Sequence, residues 1–280
     1  MTESPWGPPL DVLPALAREE QALLDVLGDL TAEQWATPTV CTGWTVQDVA
    51  SHILGDKLGL LSRGRDGQRV DVPRDDEPFP AFIDRINDEW VVACRRLSPE
   101  VLFALLVDCS TQIVDLWKRL DPDELGGPVS WAGPSPAPVW LNAAREYTEY
   151  WVHQQQIREA VGVQLLDAPE FLTPVVDTFM RALPYTLREI TATKGKRVSY
   201  SVSGASGGTW TATQGPGGWT LDRRSTSRAP LTSVSTDPDT FWRLCTRNVR
   251  LEEVQDRVTT KGDEETCETM LGMVSIIVSP

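Results

Sequence analysis

Histidine is almost absent from the chain: there are two in 280 residues, His52 and His153. Any imidazole chemistry therefore runs through those two positions. Cysteine is sparse as well. Five are present (Cys41, Cys94, Cys109, Cys245 and Cys267), an odd number, widely spaced and without a CxxC pair. That pattern suits reduced thiols in a reducing cytosol better than a disulfide framework. Positive charge is also in deficit, with 26 Lys and Arg against 40 Asp and Glu and a net charge of −14. Such a balance argues against a nucleic-acid backbone or an anionic membrane surface as partner. No uninterrupted apolar run approaches the ~18 residues of a membrane span. The opening MTESPWGPPLDVL lacks the basic start and the apolar core of about 7–15 residues that mark a secretory signal. The expectation is a soluble, cytoplasmic protein.

What is present is ordinary for a globular chain: 41% hydrophobic and 24% charged residues, in a length comfortable for two cores. Leu13, Leu16, Leu23, Leu24, Val26, Leu27 and Leu30 fall at mostly helical spacing and predict a first helix within residues 11–30. Thr45 and Asp48 resemble a capping box and open a second helix over residues 46–62. That helix buries Val46, Val49, Ala50, Ile53, Leu60 and Leu61. His52 lies just beyond the apolar arc, beside Asp48, Gly55, Asp56 and Gly59. Two helical glycines imply a steric reason, since each costs ~1 kcal/mol against Ala, and they point to a cleft wall. Residues 62–80 are charged and rich in Gly and Pro, hence an exposed loop. Two helices follow, 82–97 and 99–120, the second capped by Ser98. A Pro-rich loop, 121–138, leads to a further helix over 145–162, ending at Gly162.

The texture changes near Pro169. Residues 171–190 are helical in pattern, with Pro184 expected to kink or divide them. Alternating runs at 197–203, 209–213, 218–221 and 231–235 predict strands separated by Gly-rich turns. Residues 237–247 and 264–271 read as short helices, 257–260 as a β-like run, and 274–278 as an apolar tail. The fold class expected is α+β. Its division is a helix bundle over residues 1–165 and a smaller α+β domain over 166–280.

Glu149 and His153 stand four apart on one helix, about 40° apart in azimuth. Two imidazoles and a carboxylate are a common catalytic zinc set, because three ligands leave a fourth position open. A third ligand from a facing helix, His52, would close the set across a bundle. Spacing alone leaves plainer readings open: a solvated Glu–His pair on a helix, and a hydrogen-bonded cleft histidine. Asp48 and Asp56 are candidates for a fourth ligand or for orienting His52. Cys41 reads as a structural thiol. Eleven tryptophans are many; Trp44, Trp140 and Trp151 lie on or at the start of the metal-bearing helices, as core or as a flat pocket wall.

The stretch LTAEQWATPTVCTGWTVQDVASHIL resembles the N-terminal signature of the mycothiol-dependent maleylpyruvate isomerase family, within the DinB-like four-helix metal-binding superfamily. Its matching features are Trp35, Pro38, Cys41, Gly43-Trp44-Thr45-Val46, Asp48-Val49 and His52, with Glu149 and His153 as a second match. A looser third match covers Trp242-Arg243-Leu244 to Arg247, Gly262-Asp263 and the last apolar run. The resemblance implies an N-terminal DinB-like four-helix bundle in which His52, Glu149 and His153 hold zinc or another divalent metal. It implies mycothiol, the low-molecular-weight thiol of actinobacteria, as co-substrate. One departure stands out: relatives commonly carry Asp three residues after the last metal histidine, where this chain has Gln156.

A free alkyl thiol has a pKa near ~8.5, and coordination to a divalent cation deprotonates it. The expected activity is thiolate attack on an electrophilic small molecule. Expulsion of sulfur after rotation isomerises a cis alkene, as in a maleylpyruvate-type isomerase; its retention makes an S-transferase. Arg243 and Arg247 are candidate contacts for a substrate carboxylate. Two alternatives remain: a zinc hydrolase using metal-bound water, and a non-catalytic, metal-stabilised binding or stress protein.

Overall fold

A computed structural model describes residues 4–68, 72–222 and 230–276. The chain divides into two compact units, and neither is one continuous stretch. One unit comprises residues 12–121 and 146–166, the other residues up to 11, 122–145 and 167–277.

The first unit is helical. Its elements are α1 (Leu13–Gly28), a single turn α2 (Ala32–Trp35), α3 (Val46–Leu60), α4 (Phe79–Cys94), α5 (Pro99–Arg119) and the later turns of α6 (Val139–Val161). Helix α5 packs against both α1 and α3, and α4 packs on α3. Helix α6 is tied to α1 by polar contacts, Gln154 Nε2 to Glu19 Oε1 (2.6 Å) and Arg158 Nη2 to the Ala22 carbonyl (3.0 Å). Helices α1, α3, α5 and α6 thus form the expected four-helix bundle, with α4 as an outer helix. Its core holds Leu16, Leu23, Leu27, Ile53, Leu106 and Ile113, all essentially removed from solvent.

Local chemistry accounts for the starts of these helices. The Thr45 side chain accepts from the Asp48 amide, and Asp48 Oδ2 accepts from the Thr45 amide, which is the capping box expected. Asp48 also binds the Arg95 guanidinium (2.9 Å). It is therefore employed in the cap and the ion pair. Ser98 caps α5, again as expected. Helix α4 begins three residues earlier than its apolar pattern suggested, because Pro80 falls at the second helical position, where a missing N–H costs nothing. The predicted cleft wall on α3 is also filled. A Cβ on Gly55 would lie 2.6 Å from the Trp90 indole, whose Nε1 donates to the Ser51 carbonyl at 2.7 Å. Gly55 is thus small so that α4 can lay a tryptophan against α3.

The second unit carries a five-stranded sheet, β1 (Arg197–Val202), β2 (Gly208–Gly215), β3 (Gly218–Asp222), β4 (Thr232–Thr236) and β5 (Thr259–Lys261). The order is β3-β2-β1-β4-β5, antiparallel except where β1 and β4 run parallel. With it go α7 (Pro169–Phe179), α8 (Leu183–Thr186), α9 (Pro238–Cys245) and α10 (Glu264–Leu271). The predicted helix over 171–190 is divided at Met180–Ala182 by a 3₁₀ turn just before Pro184, as a proline lacking its N–H requires. Alternate strand residues Val198, Tyr200 and Val202 enter the core with Trp210 and Ala212. A buried polar knot sits beside them: Asp177 accepts from Arg181 Nη2 (2.8 Å) and from Trp210 Nε1 (2.6 Å), while Arg181 Nη1 donates to the Pro8 carbonyl (2.8 Å). The fold class is α+β, as expected. The last residues of the apolar tail, like residues 69–71 of the exposed loop, lie outside the described residues.

Candidate metal centre

His52 on α3 and Glu149 and His153 on α6 come together. One ligand atom from each lies within 4.8 Å of the others. Glu149 Oε1 is 3.1 Å from His153 Nε2 and 3.6 Å from His52 Nε2. The two imidazoles meet edge to face with centroids 4.5 Å apart. Helical spacing puts Glu149 and His153 on adjacent turns of one face, and the bundle brings His52 to that face from the neighbouring helix. Two histidine nitrogens and one carboxylate oxygen match the donor chemistry of a divalent-metal site.

Each ring is fixed by its surroundings. Trp44 tilts against His52 at 5.3 Å between centroids. Its position in the tight loop before α3 is set by hydrogen bonds between Thr39 N and Trp44 O and between Trp44 N and Cys41 O, both 2.9 Å. A left-handed Gly43 makes that turn possible (φ 79°). On the other ring, His153 Nδ1 lies 2.7 Å from Gln156 Oε1. Trp151, by contrast, is core: its ring is fully buried and its Nε1 donates to the Leu166 carbonyl at 2.8 Å. Trp140 belongs to the other unit, where it lies beneath the Arg181 guanidinium.

Electrostatics follow from this crowding. Burial pushes the Glu149 carboxyl up, but hydrogen bonds and charge from His153 and His52 outweigh it and hold it well below the usual carboxylate range. Burial opposes a charged His153, and the contacts with Cys41 and Glu149 more than reverse this, raising its pKa well above 6.5. Asp56 joins the edge of the group, with Oδ2 3.4 Å from His52 Nε2. Burial raises its carboxyl to about 6, with His52 pulling down and the carboxylates Glu149 and Glu146 pushing up. Asp56 is thus at the triad's edge, and Asp48 is not.

The candidate substrate arginines lie in the other unit. Arg243 pairs with Asp239 (2.7 Å) and covers the Trp242 ring at 4.3 Å. Arg247 is exposed, just after α9, with a left-handed backbone (φ 59°). The five cysteines are free thiols, and all but Cys41 are buried. No helix among the described residues is long and apolar enough to cross a membrane. In the sequence, Gln156 stands only as a missing carboxylate. Its position three residues after His153, one turn along the same face, was the available signal.

Fold and donor set together define an α+β protein whose four-helix bundle presents a His–Glu–His cluster at one place. The chain belongs to the mycothiol maleylpyruvate isomerase N-terminal domain family, whose model matches residues 16–158, just over half of the 280. Among solved structures, the mycothiol-dependent maleylpyruvate isomerase has a similar fold: TM-score 0.53 at 14% identity, covering 90% of this chain and 93% of that one. A histidine-to-alanine mutant of a mycothiol-dependent maleylpyruvate isomerase matches with the same TM-score and coverage at 13% identity. No curated protein matches the chain by sequence.

Proposed function

We propose that this protein is a mycothiol-dependent metalloenzyme, in which His52, Glu149 and His153 hold a divalent cation and a thiol co-substrate attacks an electrophilic small molecule. The convergence of His52 Nε2, Glu149 Oε1 and His153 Nε2 from two helices carries this reading. Family membership and the similar fold of the mycothiol-dependent maleylpyruvate isomerase support it. A divalent cation held there lowers the pKa of a coordinated thiol and so supplies a nucleophilic sulfur at neutral pH.

The chain's own residues do the rest. Glu149 supplies negative charge between the two rings and orients both. Trp44 braces His52, and Gln156 holds the far nitrogen of His153. Asp56 adds a second carboxylate beside His52 without displacing Glu149. Addition of sulfur to an electron-poor double bond is the shared first event of two reactions. Bond rotation with expulsion of the thiol gives an isomerase, and retention gives an S-conjugate.

Calorimetric titration of mycothiol into zinc-loaded protein, beside a His153→Ala control, tests the reading. Binding that requires both the metal and His153 is expected, with turnover of maleylpyruvate or conjugation of an electrophile assayed next. Absence of thiol binding to the zinc-loaded protein overturns it in favour of a hydrolase or a binding protein.

A further inference from the structure

Gln156 Oε1 receives two contacts. His153 Nδ1 lies 2.7 Å away, and the Cys41 thiol donates to the same oxygen at 3.1 Å. An amide oxygen only accepts. The ring nitrogen facing it must therefore carry a proton, so Nε2 is the nitrogen left to face a cation. Nε2 is the nitrogen that faces Glu149 Oε1 and the donor cluster.

This works only while the amide keeps its oxygen toward the ring. A flipped amide would present its NH₂ to Nδ1 and favour the opposite tautomer. Cys41 favours the observed orientation, because its thiol donates to the amide oxygen at that point. Cys41 is itself held in place. Its amide donates to Thr39 Oγ1 (3.1 Å), and Thr39 Oγ1 donates to the Trp44 carbonyl (2.9 Å). The loop before α3 thus braces both histidines, His52 through Trp44 and His153 through Cys41 and Gln156.

We propose that Gln156 is the positioning residue of His153, and that Cys41 sets the orientation of the Gln156 amide. The inference rests on the metal reading above. A neutral amide neither takes the Nδ1 proton nor adds negative charge to the imidazole. A ring bound to the cation in this way would be a neutral ligand, and the cation would keep more of its charge for a bound thiol.

The test is zinc affinity by chelator competition, with the visible spectrum of the cobalt-substituted protein and metal-free Tm recorded for each variant. Gln156→Leu should weaken zinc by about 10–100-fold and alter the cobalt spectrum, while Gln156→Glu, which restores an acceptor, binds within a few-fold of wild type. Cys41→Ala should lose several-fold and Cys41→Ser little. Equal zinc affinity in wild type and Gln156→Leu overturns the role of Gln156, and equal affinity in Cys41→Ala overturns that of Cys41. If Gln156→Leu does not fold, ring ¹⁵N spectra of the zinc-loaded wild type decide, since only two histidines need assignment. A proton on His153 Nδ1 is expected, and one on Nε2 overturns the proposal. A wild type that binds no zinc fails at the metal reading itself, a result distinct from any of these.

Discussion

Lys57 and Glu20 form an ion pair sealed inside the helix bundle, with the ammonium donating to Glu20 Oε2 and both side chains all but removed from water. Ser110 Oγ lies 3.5 Å from the ammonium, and the Tyr150 ring centroid 4.9 Å. Among the described residues, Glu20 Oε1 and the neighbouring Glu19 Oε2 have no hydrogen-bond partner. A buried pair is costly to desolvate, and removing one member leaves the other charge unpaired. Lys57→Met should therefore destabilise the bundle by about 3–5 kcal/mol in urea unfolding. Lys57→Met with Glu20→Leu should recover much of that loss. A double mutant as unstable as the single one would show that the pair contributes more than it costs.

Glu19 gives this cluster a pH dependence. Burial raises its carboxyl from 4.5 to about 8, the Glu20 carboxylate adds to the effect, and Lys57 opposes it. The folded state thus holds a proton that the unfolded state releases. The contribution to stability is complete below about 4.5 and is lost as pH rises toward about 8. Glu19→Gln keeps the Gln154 partner and has no proton to lose. Its unfolding free energy should exceed that of wild type by roughly 1–3 kcal/mol at pH 9, with the gap closing at pH 5. A wild-type to variant difference that is flat across this range would refute the assignment.

Much of this architecture is legible in the residues, and the exceptions share a cause. The caps Thr45-Asp48 and Ser98, the break before Pro184 and the alternation of β3 and β4 are local signals, and the structure keeps them. The gathering of His52, Glu149 and His153 was readable because helical spacing and a family resemblance both point to it. What pattern could not show depends on partners distant in sequence. A Glu19-Glu20 pair looks like a solvated surface until Lys57 and Gln154 are seen to meet it. Gly55 suggested an open cleft because Trp90, which fills the space, lies 35 positions away on another helix. Gln156 looked like a lost carboxylate, since nothing local reveals the Cys41 thiol beside it.

The Gly55–Trp90 contact predicts its own mutation. Ala is the better helix former by about 1 kcal/mol, so an exposed glycine at this place would favour Gly→Ala. Here the added methyl would press 2.6 Å from the indole, and overpacking costs typically about 1–3 kcal/mol. Gly55→Ala should be neutral to destabilising, by up to roughly 2 kcal/mol, in thermal or urea unfolding. Pairing it with Trp90→Leu should turn the same substitution stabilising relative to Trp90→Leu alone. A stabilising Gly55→Ala in the wild-type background would mean that Trp90 does not pack there.

Glu149 is the hinge of the donor set, since its Oε1 faces both Nε2 atoms, at 3.1 and 3.6 Å. Glu149→Gln preserves the shape and a weakly donating oxygen, while removing the charge that favours a cation. A ligand present at a hundred times its Kd stabilises the folded state by about 2.7 kcal/mol. Wild type should thus show a zinc-dependent rise in Tm, whereas Glu149→Gln at the same zinc concentration should show little or none. His52→Ala and His153→Ala should behave alike, because each removes one of three ligands. Glu77 pairs with Arg85 outside this cluster (2.8 Å), so Glu77→Gln is the control and should keep the full zinc shift. A Glu149→Gln variant with an undiminished zinc shift would place the cation elsewhere.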